Sequence, residues 1–318
     1  MSRTTVFLAL LLMAGGLTSK TLADDREDRA IAYVKKLGGK VVRDGSRAGN
    51  PVFQVDLSMT AVTDEDLEEL AAFVELHTLI LHDTNVTGTG LKSVAREKGL
   101  ITLDVRNTRI SDAGLKEICR HKRIIQLTLN DCAITDSGVK ELTALPRLAS
   151  LDLTGTQLTD EALGPLTAIG SLTSLDLTRT RVTGVGMKGH ARLQALELSY
   201  TPVTDAGLKD IVQLSSLTSL SLRGTKITDA GLKELALLPN LSSLMLWGTE
   251  VTDRGVKEIA ALRKLASLNL ISTRVTDVGL QELAALRGLR RLVVQITDVT
   301  DAGVERLKKS LPGCDIYN

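Results

Sequence analysis

The chain has 318 residues, of which 39 are basic and 38 acidic, for a formal charge of +1. So even a balance implies neither nucleic acid nor an anionic membrane as a partner. Hydrophobic residues make up 43% but aromatic residues only 2%, so the core has to be aliphatic.

Residues 1–23 read as a signal peptide. Arg3 supplies a positive start, residues 6–17 form an apolar run of 12, and Thr21-Leu22-Ala23 offers small residues for cleavage near Ala23. A membrane-spanning helix needs about 20 apolar residues, so this run reads as a cleaved export signal. No Cys follows it, which argues against a lipid anchor, and no later segment is apolar enough to span a bilayer. The expected product is exported, periplasmic or extracellular. Residues 24–51 read as an N-terminal cap. A helix over 24–37 places Ile31, Val34 and Leu37 on one side, Gly38-Gly39 stops it, and a hairpin runs from 40–43 into 51–57.

From 52 to 310 one phrase returns eleven times, beginning at Val62, Val86, Ile110, Ile134, Leu158, Val182, Val203, Ile227, Val251, Val275 and Val299. The spacing is 24 residues throughout, except for 21 between Val182 and Val203. Each unit reads L-x-x-L-x-L-x-x-T-x-[VI]-T-D-x-G-[LV]-K-x-[LI]. Leu151 and Leu153, two apart, face one side of a short strand. Leu232, Leu235 and Leu238, three apart, predict an amphipathic helix of two or three turns begun by Thr or Asp as N-cap. Alone, such a unit cannot bury its apolar side; stacked units share one core. Strands sit about 4.8 Å apart and helices about 8–10 Å, so the stack bends into an arc with a concave parallel sheet and a convex helical face. The short unit carries Gly184, Gly186 and Gly189, which predicts a loose, non-helical convex segment over 185–192. Residues 311–318 read as a C-terminal capping strand, with Cys314 in a Leu slot and Tyr317 near the open edge.

The units resemble the leucine-rich-repeat family, whose signature is L-x-x-L-x-L-x-x-N/C-x-L. The resemblance runs from residue 52 to about 316. The Val-Thr-Asp-x-Gly-Leu phrase is similar to repeats of exported bacterial members, and to the cysteine-containing class of eukaryotic F-box adaptors. It implies an α/β horseshoe that binds partners on its concave face. One departure is systematic: the Asn/Cys slot holds Thr in ten units, from Thr60 to Thr297, and Cys132 in one. A Thr hydroxyl is expected to satisfy the same turn.

Candidates for chemistry are few. Cys119, Cys132 and Cys314 occupy different places in the unit and read as packing residues. His77, His82, His121 and His190 have no metal-ligand spacing, only His82 points outward, and no Ser-His-Asp set can be assembled. The Asp column, Asp64 to Asp301, reads as helix N-terminal caps; the nonapeptide of calcium β-rolls is absent. No catalytic residue, metal or cofactor is expected.

Alternation places Asp104, Asp152, Asp176 and Glu197 on the middle of the concave face. Toward the C-terminal end it places Met245, Trp247, Ile271 and Val293 beside Arg223, with Tyr200 close by. An apolar cluster around the only Trp on an exposed face reads as a binding site. The expected function is an exported, non-catalytic recognition module that binds an unidentified protein or other macromolecule through the concave sheet. One alternative is a structural or assembly protein of the cell envelope. Another is a ubiquitin-ligase-type substrate adaptor, against which stand the signal peptide and the lack of room for an F-box before residue 52.

Overall fold

Each unit lays a three-residue strand beside the one before it, and this repetition builds the molecule. The computed structural model describes residues 25–47, 49–94 and 99–318; the signal-peptide reading of 1–23 lies outside them. The strands are β1 (Lys40–Arg43), β2 (Val52–Asp56), β3 (Thr78–Ile80), β4 (Thr102–Asp104), β5 (Gln126–Thr128), β6 (Ser150–Asp152), β7 (Ser174–Asp176), β8 (Ala195–Glu197), β9 (Ser219–Ser221), β10 (Ser243–Met245), β11 (Ser267–Asn269), β12 (Arg291–Val293) and β13 (Asp315–Tyr317). They form one sheet in chain order. β1 pairs antiparallel with β2; from β2 onward all pairs are parallel, with equivalent residues of successive units in register. A helix over 25–36 (α1) precedes β1 and buries Ala30, Ile31 and Val34.

The opposite face is less uniform than the repeat suggests. Seven-residue helices occur at α2 (Asp112–Ile118), α5 (Asp205–Ile211), α6 (Asp229–Leu235) and α7 (Asp253–Ile259). α3 (Asp136–Val139), α4 (Leu163–Thr167) and α8 (Asp277–Glu282) are shorter, while α9 (Asp301–Ser310) is the longest of the set. The first two units have only 3-10 turns, Asp66–Ala72 and Thr89–Ser93. Over 184–192 there is no helix, as the three glycines there predict.

The conserved-looking phrase of each unit is explained by the seam between neighbours. Thr is the N-cap: the side chains of Thr228 and Thr252 accept from Ala230 N and Arg254 N at 3.3 Å. The Asp does not cap its own helix, as the sequence reading had it. Its carboxylate reaches into the next unit. Asp205 accepts from Thr228 N (2.9 Å) and Oγ1 (2.6 Å), and Asp229 accepts from Thr252 N (2.8 Å) and Oγ1 (2.6 Å). The same staple joins Asp64 to Thr87, Asp112 to Thr135, Asp136 to Thr159, Asp160 to Thr183, Asp253 to Thr276 and Asp277 to Thr300. Burial pushes the Asp64 carboxyl up, but bonds from Gly90 N and Thr87 outweigh it and hold it below the ordinary carboxylate range. The Asp64 staple is thus strongest above that range and is lost as pH falls through the lowered value.

In most units the glycine two residues after the Asp makes room for this contact; Ala162 holds the slot after Asp160. A Cβ on Gly231, Gly279 or Gly303 would stand 2.3, 2.3 or 2.0 Å from the preceding unit's Asp Oδ1. In the first unit, with no Asp before it, the slot holds Asp66, which accepts from Thr63 N at 2.8 Å instead. Where Gly88 and Gly184 replace the Asp, the next N-caps, Ser111 and Thr204, have no side-chain cap bond.

Below each strand the Thr column works as expected: Thr84 donates to Leu81 O at 2.6 Å, Thr225 to Leu222 O at 2.6 Å and Thr273 to Leu270 O at 2.7 Å. The residue before each Thr or Cys turns left-handed. Gly155, Gly224 and Gly248 do so freely, but Met59, Asp83, Asn107, Asp131, Arg179, Tyr200, Ser272 and Ile296 do so with side chains. The strand leucines beneath are fully buried and close a single aliphatic core from Ala30 to Cys314.

Two outcomes follow. Asp229→Ala leaves the Thr252 amide and hydroxyl without their acceptor and lowers stability by about 1–3 kcal/mol, read as a drop in the urea midpoint. Ile296, at φ 57° and 77% exposed, is β-branched in a conformation that L-residues resist. Ile296→Gly is expected to raise the same midpoint, by up to about 1 kcal/mol.

Candidate recognition site on the concave face

The outward side chains of β6, β7 and β8 bring Asp152, Asp176 and Glu197 into register on adjacent strands. Burial pushes the Asp176 carboxyl up, although Thr178 bonds to it, and burial likewise raises Glu197. Asp152 and Asp176 also accept from the backbone amides of Thr154 (3.0 Å) and Thr178 (2.8 Å). Much of the acidic middle is therefore turned toward its own turns. Farther along, Ser199 and Ser221 bond to each other at 2.9 Å and are buried.

The sequence-derived cluster divides. Three members meet: the Arg223 guanidinium carbon stands 3.4 Å from the Trp247 ring centroid and 4.9 Å from that of Tyr200. Backbone pairing holds the three in step, Tyr200 N bonding to Arg223 O and Gly224 N to Trp247 O, both at 2.7 Å. Gly224 makes space for the aromatic ring, since a Cβ there would be 2.6 Å from Tyr200 Cδ1. Met245 is exposed at 37% and Tyr200 at 44%, while Trp247 and Ile271 are half-buried. Val293 was expected outward and open, but it is buried at 8%. It lies opposite Asn269 on one side and Tyr317 on the other, so β13 covers it.

The sequence reading missed one member. Arg179 stands 5.8 Å from the Tyr200 ring and extends the stack to Arg179, Tyr200, Arg223 and Trp247. The signal was present: Arg179 and Tyr200 share the left-handed slot before the Thr in successive units. A second pair, Arg291 over Tyr317 at 5.2 Å, sits at the last strand. Among the described residues no carboxylate pairs with Arg223, and its Nε is buried without a hydrogen-bond partner. A cation between two π faces, each contact contributing about 0.5–2 kcal/mol, is held in place while its remaining N–H groups stay available to an incoming acceptor.

Other candidate groups have structural places. Cys119, Cys132 and Cys314 are unpaired and buried; burial pushes the Cys119 thiol up to about 12 and raises the other two. Cys132 Sγ donates to Val105 O at 3.2 Å, taking the part of the column's Thr. His82 Nδ1 lies 2.7 Å from Asp83 Oδ2. Among the described residues no group of three or more His, Cys, Asp or Glu is arranged to hold a metal ion.

A family model described as leucine-rich repeat matches residues 100–119, 171–189, 192–212 and 213–236. No curated protein matches the chain by sequence. Among solved structures, an internalin of Listeria monocytogenes is similar over 92% of this chain and 94% of its own, with TM-score 0.58 and 18% identity. The leucine-rich-repeat ectodomain of the Arabidopsis receptor kinase HAESA, solved with a peptide hormone ligand, is similar over 86% of this chain and 50% of its own, with TM-score 0.59 and 15% identity. At such identities the likeness is one of fold.

The stack is directly readable, because Trp247 is the only tryptophan. Arg223→Ala is expected to uncover the indole and shift its fluorescence emission to longer wavelength. The variant should also lose about 1–2 kcal/mol of stability.

Proposed function

The chain is a leucine-rich-repeat protein, and on that premise we propose that it is an exported, non-catalytic recognition module that binds a protein ligand through its concave sheet. The contact is centred on Tyr200, Arg223 and Trp247, with Met245, Ile271 and Arg179 around them. Val293 is left out because it is covered. The observation that carries this reading is Arg223 itself: a cation clamped between two aromatic rings, with no carboxylate of its own among the described residues. Aromatic and Arg side chains preorganised in this way are the commonest energetic anchors of interfaces. A solenoid of this fold, the receptor ectodomain, is solved with a peptide hormone ligand bound. Export rests on the reading of residues 1–23, and no helix among the described residues is long and apolar enough to cross a membrane.

The test is capture from envelope and culture-supernatant fractions of the native host. Trp247→Ala is expected to lose the partner by at least about tenfold, equivalent to about 1.4 kcal/mol. Leu237→Ala, at a convex position 63% exposed, should capture as well as the native protein. Equal capture by the Trp247 variant would move the site elsewhere, and capture of nothing but further copies of the chain would favour an assembly role.

A further inference from the structure

The unit from Val182 to Val203 lacks several supports that other units have. It has no helix over 184–192. Gly184, Gly186 and Gly189 are all left-handed, at φ 91°, 97° and 107°. Gly184 stands where most units place the stapling Asp, so Thr204 receives no carboxylate, and its own side chain makes no cap bond. The loop is tied to α5 by Gly186 N donating to Asp210 Oδ2 at 2.7 Å.

In this same unit an imidazole replaces a core aliphatic. The buried slot three residues before the first strand-side Leu holds Leu145, Ile169, Leu214, Leu238, Leu262 and Leu286 in other units, and here it holds His190, 5% exposed. Its Nε2 has no hydrogen-bond partner. The ring lines a cleft of about 70 Å³ with Thr167, Ile169, Gly170, Gly189 and Arg192. His121 occupies the slot in one other unit, but its Nε2 lies 3.1 Å from Leu91 O, an acceptor that His190 lacks.

The charges around His190 do not stabilise an imidazolium. Its own loop brings Lys188 and Arg192, both cationic. Residues 163–172, which include α4, carry no ionisable side chain. α5 brings Asp205, Lys209 and Asp210; Asp205 is bonded to Thr228 of the next unit and Asp210 to Gly186. Burial alone pushes the ring down to about 4.

We propose that His190 makes the 182–203 unit an acid-sensitive hinge, in which protonation of the buried ring opens this unit while its neighbours stay folded. An imidazolium cannot remain in an apolar wall without an acceptor, and the left-handed glycines let the loop swing outward without breaking a helix. A histidine whose folded value is lowered contributes stability that is present above its ordinary value and is lost as pH falls through the folded value. Arg179 lies before the hinge loop and Tyr200 after it, so opening parts Arg179 from the rest of the cation–aromatic stack. The inference stands on the core of this unit and does not depend on what the concave face binds.

The experiment is amide hydrogen exchange on the purified protein at pH 7.5 and pH 5, corrected for intrinsic rates. The Met187 and Leu193 amides, bonded to Gly184 O and His190 O, report the unit. With an ordinary value of 6.5 and a folded value of about 4, linkage gives an opening equilibrium on the order of 30-fold larger at pH 5. His190→Leu, the residue most other units use, and His190→Gln should both abolish that acceleration. Equal acceleration in the two variants, or none in the native protein, overturns the proposal. If the Leu variant does not fold, the Gln variant and an NMR titration of the native His190 ring decide; a ring titrating near 6.5 would contradict the hinge.

Discussion

One interaction holds the solenoid together beyond its aliphatic core: the Asp carboxylate that crosses each seam to the next unit's N-cap Thr. Leucines on the strands make burial favourable but are indifferent to which neighbour they meet. The staple is directional. It joins an amide and a hydroxyl of one unit to a carboxylate of the last, as in Asp229 and Thr252. In most units a Gly two residues after the Asp slot gives the carboxylate room, because a Cβ there would crowd it or the backbone of the neighbouring unit; Ala162 fills that slot once, and the Asp136–Thr159 staple beside it still forms. Thr, Asp and Gly are therefore one device read three times over. Where Gly88 and Gly184 replace the Asp, Ser111 and Thr204 of the next unit lose the carboxylate and make no side-chain cap bond.

The functional face follows from this regularity. Once the units are locked in register, equivalent positions form columns about 4.8 Å apart, close enough for Arg and aromatic side chains to stack from unit to unit. Tyr200, Arg223 and Trp247 occupy two such columns at successive units, and Gly224 clears the space into which the Tyr200 ring folds. The left-handed slot before each Thr contributes as well. It is strained for most residues, yet eight non-glycine side chains among the described units of the repeat accept it. Two of them, Arg179 and Tyr200, lie in the stack.

The architecture was legible in the sequence because its signals are periodic. The 24-residue spacing, the paired leucines and the Thr column each recur often enough to define strand, core and turn. What the sequence hid depends on contacts between units. Nothing in a single repeat says that its Asp serves the next one, so a helix cap was the natural reading of Asp229. Val293 alternates outward like Met245, yet the last strand covers it, and an edge effect of that kind has no periodic signature. The convex face was over-read as well: Leu67 and Leu70 keep helical spacing, yet their segment forms a 3-10 turn. The stack around Arg223 was half-visible. Trp247 and Arg223 stood out as residue types, whereas Arg179 needed the left-handed column to be recognised as one surface.

The central claim, that side-chain staples set the cohesion of each seam, is tested most directly by site-resolved hydrogen exchange at the N-cap amides. Thr135, Thr159, Thr228, Thr252 and Thr276, each donating to an Asp across the seam, should exchange much more slowly than Ser111 and Thr204, which face a Gly in that place. If Ser111 and Thr204 are as protected as the others, the seams are held by core burial alone and the account is wrong.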